Sequence, residues 1–104
     1  MIDIEDEYLA EIRRILDDQA PDCEVRAFGS RLDGCAEKYS DLDLALVGKG
    51  KLDWRRIETL KDAFAASNLP MIVDVIDWHA VSDEFRAIIE KKYVVIRESL
   101  KGPE

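Results

Sequence analysis

The chain has 104 residues, 47% of them hydrophobic, and a formal net charge of −8. This length suits one domain (residues 1–104) with one hydrophobic core. The acidic balance argues against direct binding to nucleic-acid backbones or anionic membranes, because both attract clusters of lysine and arginine. The N-terminus lacks an apolar signal region, and no apolar run approaches the ~18 residues of a membrane span, so we expect a cytoplasmic protein.

The first element is predicted to be an amphipathic helix from about Asp6 to Gln19. Its apolar residues recur at helical spacing: Tyr8, Leu9, Ile12, Ile15 and Leu16. A short strand is predicted over residues 24–28, and it runs directly into Gly29. Residues 30–34 are predicted to form a turn or a short helix.

A second strand is predicted over Asp41–Val47, and glycines at positions 48 and 50 end it. Aspartate is depleted in strands, so two aspartates in one strand require a reason. Strand alternation places Asp41 and Asp43 on one face and the leucines at 42, 44 and 46 on the other. One face therefore suits a hydrophobic core, and the other can hold a divalent cation.

The next helix is predicted to begin at an Asp53 cap and to end before Asn68-Leu-Pro70. Its predicted apolar stripe consists of Trp54, Ile57, Leu60 and Phe64. A third strand is predicted over Met71–Asp77, with a β-branched centre. The lone histidine that follows, His79, is interpreted as a surface or capping residue rather than a catalytic base.

Ser82 is predicted to cap the last helix, which carries Phe85, Ile88 and Ile89. Residues 93–96 are apolar and are predicted to form a short final strand or a packed tail. The element order implies an α/β fold in which helices flank a small mixed β-sheet.

The turn after the first strand has the residue types of a phosphate site. Gly29 lets the backbone turn sharply and approach a ligand closely. The amides that follow point at an anion if they open a helix, the Ser30 hydroxyl adds a directional hydrogen bond, and Arg31 adds positive charge.

Three carboxylates have the residue types of a magnesium site. Mg²⁺ prefers oxygen and is usually held by one or two carboxylates together with substrate phosphates. Asp41 and Asp43 can converge on one ion, or each can help to bind one of two ions. Asp74 interrupts an apolar strand and is the best candidate for a third ligand, although it can equally pair with Arg26 or another base. The three carboxylates and the turn at Gly29 together indicate metal-assisted phosphoryl or nucleotidyl transfer.

Residues 28–31 (Phe-Gly-Ser-Arg) and 39–45 (Tyr-Ser-Asp-Leu-Asp-Leu-Ala) resemble the signature of the minimal nucleotidyltransferases, which belong to the DNA polymerase β-like nucleotidyltransferase superfamily. The shared pattern is Gly-Ser, ten residues, then Asp-x-Asp. Residues 73–77 look like the third-carboxylate strand of that family, and residues 82–96 resemble its C-terminal helix. The resemblance covers about residues 8–97.

The resemblance implies the polymerase β-like palm fold and a site with Asp41, Asp43 and Asp74 as catalytic ligands of two Mg²⁺ ions. Gly29 and Ser30 would contact the nucleoside triphosphate. Small members of the family often act as the antitoxin of a HEPN/MNT toxin–antitoxin pair. The implied activity is transfer of AMP from ATP to a tyrosine hydroxyl of the HEPN toxin, in a homo- or hetero-oligomer.

One residue departs from the family pattern. Similar sequences commonly carry a basic residue where this chain has Asp33, and an acid there would weaken triphosphate binding. Two alternatives stay open, and Asp33 favours the first of them. The chain could be a weakly active or inactive nucleotide-binding antitoxin that neutralises its partner by occlusion, or its acceptor could be a small molecule or an RNA end.

Overall fold

The computed structural model describes residues 4–29, 32 and 41–100. Within these residues, the helices and strands follow one another in this order: α1 Asp6–Gln19, β1 Glu24–Phe28, β2 Leu42–Val47, α2 Trp54–Ala65, β3 Val73–Asp77, α3 Asp83–Lys91 and β4 Val94–Arg97. The predicted elements are confirmed, with β2 and β3 beginning one and two residues later than expected. The predicted turn or helix over residues 30–34 lies outside the described residues except for Leu32.

The four strands form one mixed sheet in the order β3-β2-β1-β4. β1 pairs antiparallel with both β2 and β4, whereas β2 and β3 are parallel and are connected through α2. The predicted mixed sheet is therefore confirmed. Because β1 runs antiparallel to β2, and β3 runs parallel to β2, the C-terminal end of β1 lies at the same end of the sheet as the N-terminal ends of β2 and β3.

Helices cover the two faces of the sheet unequally. The leucines of β2 are buried on one face in a core shared with α1 and α2. On the other face a smaller cluster joins Ala45 of β2 to Trp78 and to Ile89 of α3. Asp43 lies on this second face because it alternates with the leucines, as the sequence predicted.

The predicted stripe of α2 is wrong at Trp54. Leu60 and Phe64 are buried and Ile57 is half-buried, but Trp54 is 69% exposed. Trp54 is the first residue of the helix, and its ring contacts the Arg55 guanidinium, 5.9 Å from the ring centroid. Leu52, two residues earlier, packs against the core instead.

Both predicted helix caps are confirmed. The Asp53 side chain accepts a hydrogen bond from Arg55 N, and the Ser82 hydroxyl accepts one from Phe85 N. These bonds satisfy backbone donors that the first turn of a helix leaves unpaired. No helix in the described part of the chain is long and apolar enough to cross a membrane.

Candidate active site

Strand register brings Gly29, Asp43 and Asp74 to one end of the sheet. Asp43 lies opposite Phe28 of β1, and Gly29 follows Phe28 directly. On its other side, Asp43 is the register partner of Asp74 in β3. The predicted glycine and two of the three predicted carboxylates are therefore neighbours across three adjacent strands, and Asp41 immediately precedes β2.

Gly29 is required where the chain leaves β1. Its φ is +92°, in a region that residues with a side chain rarely adopt. A Cβ at this position would lie 2.5 Å from Oδ2 of Asp43, which is far inside van der Waals contact. The absence of a side chain at residue 29 therefore lets the backbone approach the Asp43 carboxylate closely.

Burial and neighbouring negative charges perturb the Asp43 carboxylate. Its side chain is half-buried at the sheet surface. Burial, followed by the negative charges of Asp74 and Asp41, raises the pKa of the Asp43 carboxyl above its ordinary value. The charged form is thus disfavoured here, and a cation placed among these carboxylates would favour it.

Asp74 has a basic neighbour, as the sequence analysis allowed, but that base is Lys61 rather than Arg26. Its Oδ1 lies 3.8 Å from Nζ of Lys61 on α2 and accepts a hydrogen bond from its own neighbour Val75 N at 3.1 Å. The expected alternative base, Arg26, is instead bonded to Glu24, with 2.5 Å between Nε and Oε2. Local sequence gives no sign of the Lys61 contact, because it forms between a helix and an edge strand.

The donor set fits Mg²⁺, although the three carboxylates do not converge on one point. Among residues 4–29, 32 and 41–100, no three His, Cys, Asp or Glu side chains lie close enough together to hold one metal ion. Like charges repel, and Asp74 has Lys61 as a counter-ion. Aspartate oxygens on adjacent strands are nevertheless the ligands that Mg²⁺ prefers, so the magnesium site stays a prediction.

The remaining nucleotide-site predictions concern the loop after Gly29. Ser30 and Arg31, and the departure at Asp33, lie outside the described residues. Their roles stay predictions that follow from the sequence pattern.

His79 and Asp77 have structural contacts at the other end of the sheet. His79 Nε2 lies 2.9 Å from the Gly48 carbonyl oxygen, which agrees with its interpretation as a capping residue. Asp77 accepts hydrogen bonds from the backbone N–H groups of Leu52 and His79. Neither residue takes part in the carboxylate site.

Residues 9–103 match the nucleotidyltransferase domain family. A Haemophilus influenzae protein named probable protein adenylyltransferase MntA is 50% identical over 103 residues, which cover 99% of this chain and 90% of that protein.

Two solved structures are similar in fold. A chain in a crystal structure of a toxin–antitoxin with AMP-PNP has a TM-score of 0.74 and 23% identity, with 89% of this chain and 75% of that chain covered. A chain in a structure of tri-AMPylated Shewanella oneidensis HEPN toxin in complex with MNT antitoxin has a TM-score of 0.62 and 19% identity, with 94% and 76% covered. These likenesses confirm the predicted fold. Because the family match spans almost the whole chain and a relative shares half of its residues, the chain belongs to the nucleotidyltransferase domain family.

Proposed function

We propose that this chain is a Mg²⁺-dependent adenylyltransferase that transfers AMP from ATP to a tyrosine hydroxyl of a HEPN toxin, and thereby acts as its antitoxin in the cytoplasm. The observation that carries the proposal is the position of Asp43 between Gly29 and Asp74 on neighbouring strands. The proposal is supported by the MntA relative, which is named a probable protein adenylyltransferase, and by the two solved structures, which contain toxin–antitoxin pairs.

Each side of the site has a distinct role in the proposal. The Gly29 turn, with Ser30 and Arg31, holds the triphosphate, while Asp41, Asp43 and Asp74 hold Mg²⁺. When bound, Mg²⁺ would neutralise the charge that develops on the phosphate oxygens. Asp41 and Asp74 are exposed, so the side chain of a partner protein can reach the site from solvent.

The reaction exchanges one bond at phosphorus for another and moves one proton. The tyrosine oxygen attacks the α-phosphorus of ATP, and the bond from that phosphorus to pyrophosphate breaks. Asp74 accepts the hydroxyl proton in this proposal, because it is exposed and lies on β3, which β2 separates from the Gly29 turn. Positioning and charge neutralisation supply most of the rate, as is usual for transfer at phosphorus.

A second function is favoured by the acidic residue Asp33 in the predicted phosphate loop. An acid beside a triphosphate lowers affinity by repulsion. The chain would then neutralise its partner by binding and occlusion, with weak or absent catalysis. An Asp41/Asp43 double variant that still suppresses the toxin favours occlusion, whereas loss of suppression favours AMP transfer.

We predict that Asp43→Asn retains the fold and lowers AMP transfer at least ~100-fold, the scale for losing one key electrostatic group. The assay incubates the chain with α-labelled ATP, Mg²⁺ and the HEPN protein encoded beside it, and measures label on that protein. Asp18→Asn is the matched control, because it removes the same charge from an exposed position on α1.

Near-normal labelling by Asp43→Asn contradicts the proposed role of that carboxylate. Label on a small molecule or an RNA end, with none on the HEPN protein, would instead support a different acceptor.

A further inference from the structure

The strand order separates the two sides from which substrates reach Asp43. Gly29 ends β1 on one side of β2, and Asp74 lies on β3 on the other side. Displacement at phosphorus is roughly in line, so the attacking oxygen approaches opposite the leaving group. If the phosphates lie on the Gly29 turn, the acceptor hydroxyl must enter over β3.

Ile72 is the apolar side chain at that entrance. Met71, Val73 and Val75 are buried, whereas Ile72 and Asp74 are exposed, so these two share the face of the sheet that carries Asp43. Ile72 is 69% exposed, and its carbonyl oxygen accepts a hydrogen bond from Leu42 N at 2.9 Å. That bond holds Ile72 beside β2 at the level of Asp41, about 6.6 Å along the strand from Asp74.

We propose that Ile72 packs against the aromatic ring of the acceptor tyrosine and so determines specificity for an aromatic hydroxyl; this rests on the proposed AMP transfer. A tyrosine side chain has an apolar ring and a polar tip. With the ring on Ile72, the hydroxyl extends along β3 towards Asp74. A β-branched side chain is stiff at χ1, so little conformational freedom is lost when it contacts the ring.

The position of Ile72 distinguishes it from other exposed apolar residues. Single exposed hydrophobic residues are common and need no functional explanation. Ile88 on α3 is 60% exposed and provides the comparison, because it lies on a helix rather than in the segment that leads into β3. Among the exposed large hydrophobic residues in the described ranges, Ile72 alone directly precedes β3 and lies on the face of the sheet that carries Asp74.

The test compares Ile72→Ser, Ile72→Leu and Ile88→Ser in AMP transfer to the HEPN protein. We expect Ile72→Ser to lower kcat/KM for that protein about tenfold, the effect of losing one partly buried aliphatic contact. We expect Ile72→Leu and Ile88→Ser to keep the kcat/KM of the wild-type chain for that protein. The KM for ATP stays constant in all three variants, and their thermal unfolding shows that the fold is intact.

Three outcomes overturn the inference. Equal AMP transfer by Ile72→Ser and Ile88→Ser contradicts the role of Ile72. If the wild-type chain also transfers AMP, the proposed function itself still stands. Mass spectrometry that places the AMP on serine or threonine removes the aromatic acceptor. If the wild-type chain labels no protein at all, the proposed function fails, and the inference fails with it.

Discussion

At the scale of single residues, the surroundings of Asp43 favour its ionised carboxylate more when a cation is bound to it than when none is. Its carboxylate is half-buried, directly against Gly29, and close to two other negative charges. The same features raise the pKa of Asp43. Groups at functional sites often show such perturbation, because the environment serves the ligand rather than the fold.

We predict that Asp43→Asn is more stable than the wild-type chain at pH 7 in the presence of EDTA. The folded-state pKa of Asp43 lies above its unfolded value, so the folded state binds more protons. Stability is therefore greatest below the unfolded pKa and falls as pH rises through the folded one. Asparagine cannot ionise, so the variant does not lose this stability as the pH rises.

The measurement is thermal unfolding of Asp43→Asn and Asp18→Asn at several pH values. The wild-type chain should lose stability relative to Asp43→Asn as the pH rises above the ordinary aspartate range. Added Mg²⁺ should then narrow the difference in thermal stability between the wild type and Asp43→Asn, because it binds and stabilises only the wild type. A variant that is less stable than wild type at pH 7 in EDTA contradicts the prediction.

At the scale of elements, Asp77 connects the end of β3 to the segment that follows β2. Its Oδ2 accepts a hydrogen bond from Leu52 N at 2.8 Å, and its Oδ1 accepts one from His79 N at 3.1 Å. His79 contacts the Gly48 carbonyl oxygen in turn. These contacts hold the segment between β2 and α2 against the C-terminal end of β3. β3 is the strand that carries Asp74.

We predict that Asp77→Ala lowers the free energy of unfolding by about 1–3 kcal/mol, because it leaves backbone donors without an acceptor in partly buried surroundings. Urea unfolding followed by circular dichroism measures the change. Asp62→Ala, at an exposed position on α2, serves as the control and should have little effect. Equal stability of the two variants would rule out a stabilising role for the Asp77 contacts.

At the scale of the whole molecule, Arg97 joins the last strand to the first helix and the first strand. The side chain is 7% exposed, and its Nη2 donates hydrogen bonds to the carbonyl oxygens of Ala20 (2.7 Å) and Cys23 (2.8 Å). Its Nη1 lies 3.4 Å from Oδ1 of Asp17 at the end of α1. Nearby, Leu100 N donates to the Pro21 carbonyl oxygen at 2.8 Å.

We predict that Arg97→Met lowers the free energy of unfolding by about 2–4 kcal/mol, because hydrogen bonds from charged groups contribute more than neutral ones and two buried acceptors lose their donor. This is a large fraction of the 5–15 kcal/mol that is typical of a domain. Arg14→Met removes an exposed arginine that pairs with Glu11, and should change the free energy of unfolding far less than Arg97→Met does. Chemical denaturation of both variants distinguishes the two cases, and similar losses would contradict the role of Arg97.

The sequence by itself determined the features that depend on neighbouring residues along the chain. Alternation placed Asp43 opposite the leucines of β2, and the capping roles of Asp53 and Ser82 follow from side chains that bond to amides two or three residues away. The spacing between Gly-Ser and Asp-x-Asp indicated the family, because both motifs and the ten residues between them can be read directly along the chain.

Only the tertiary structure decided which distant residues meet. The approach of Gly29 to Asp43, the contact of Lys61 with Asp74 and the exposure of Trp54 all depend on which strands and helices are neighbours. Such contacts have no period along the chain. The strand order β3-β2-β1 therefore decided that the Gly29 turn and Asp74 lie on opposite sides of Asp43, because pairing across the sheet, rather than local pattern, sets those distances.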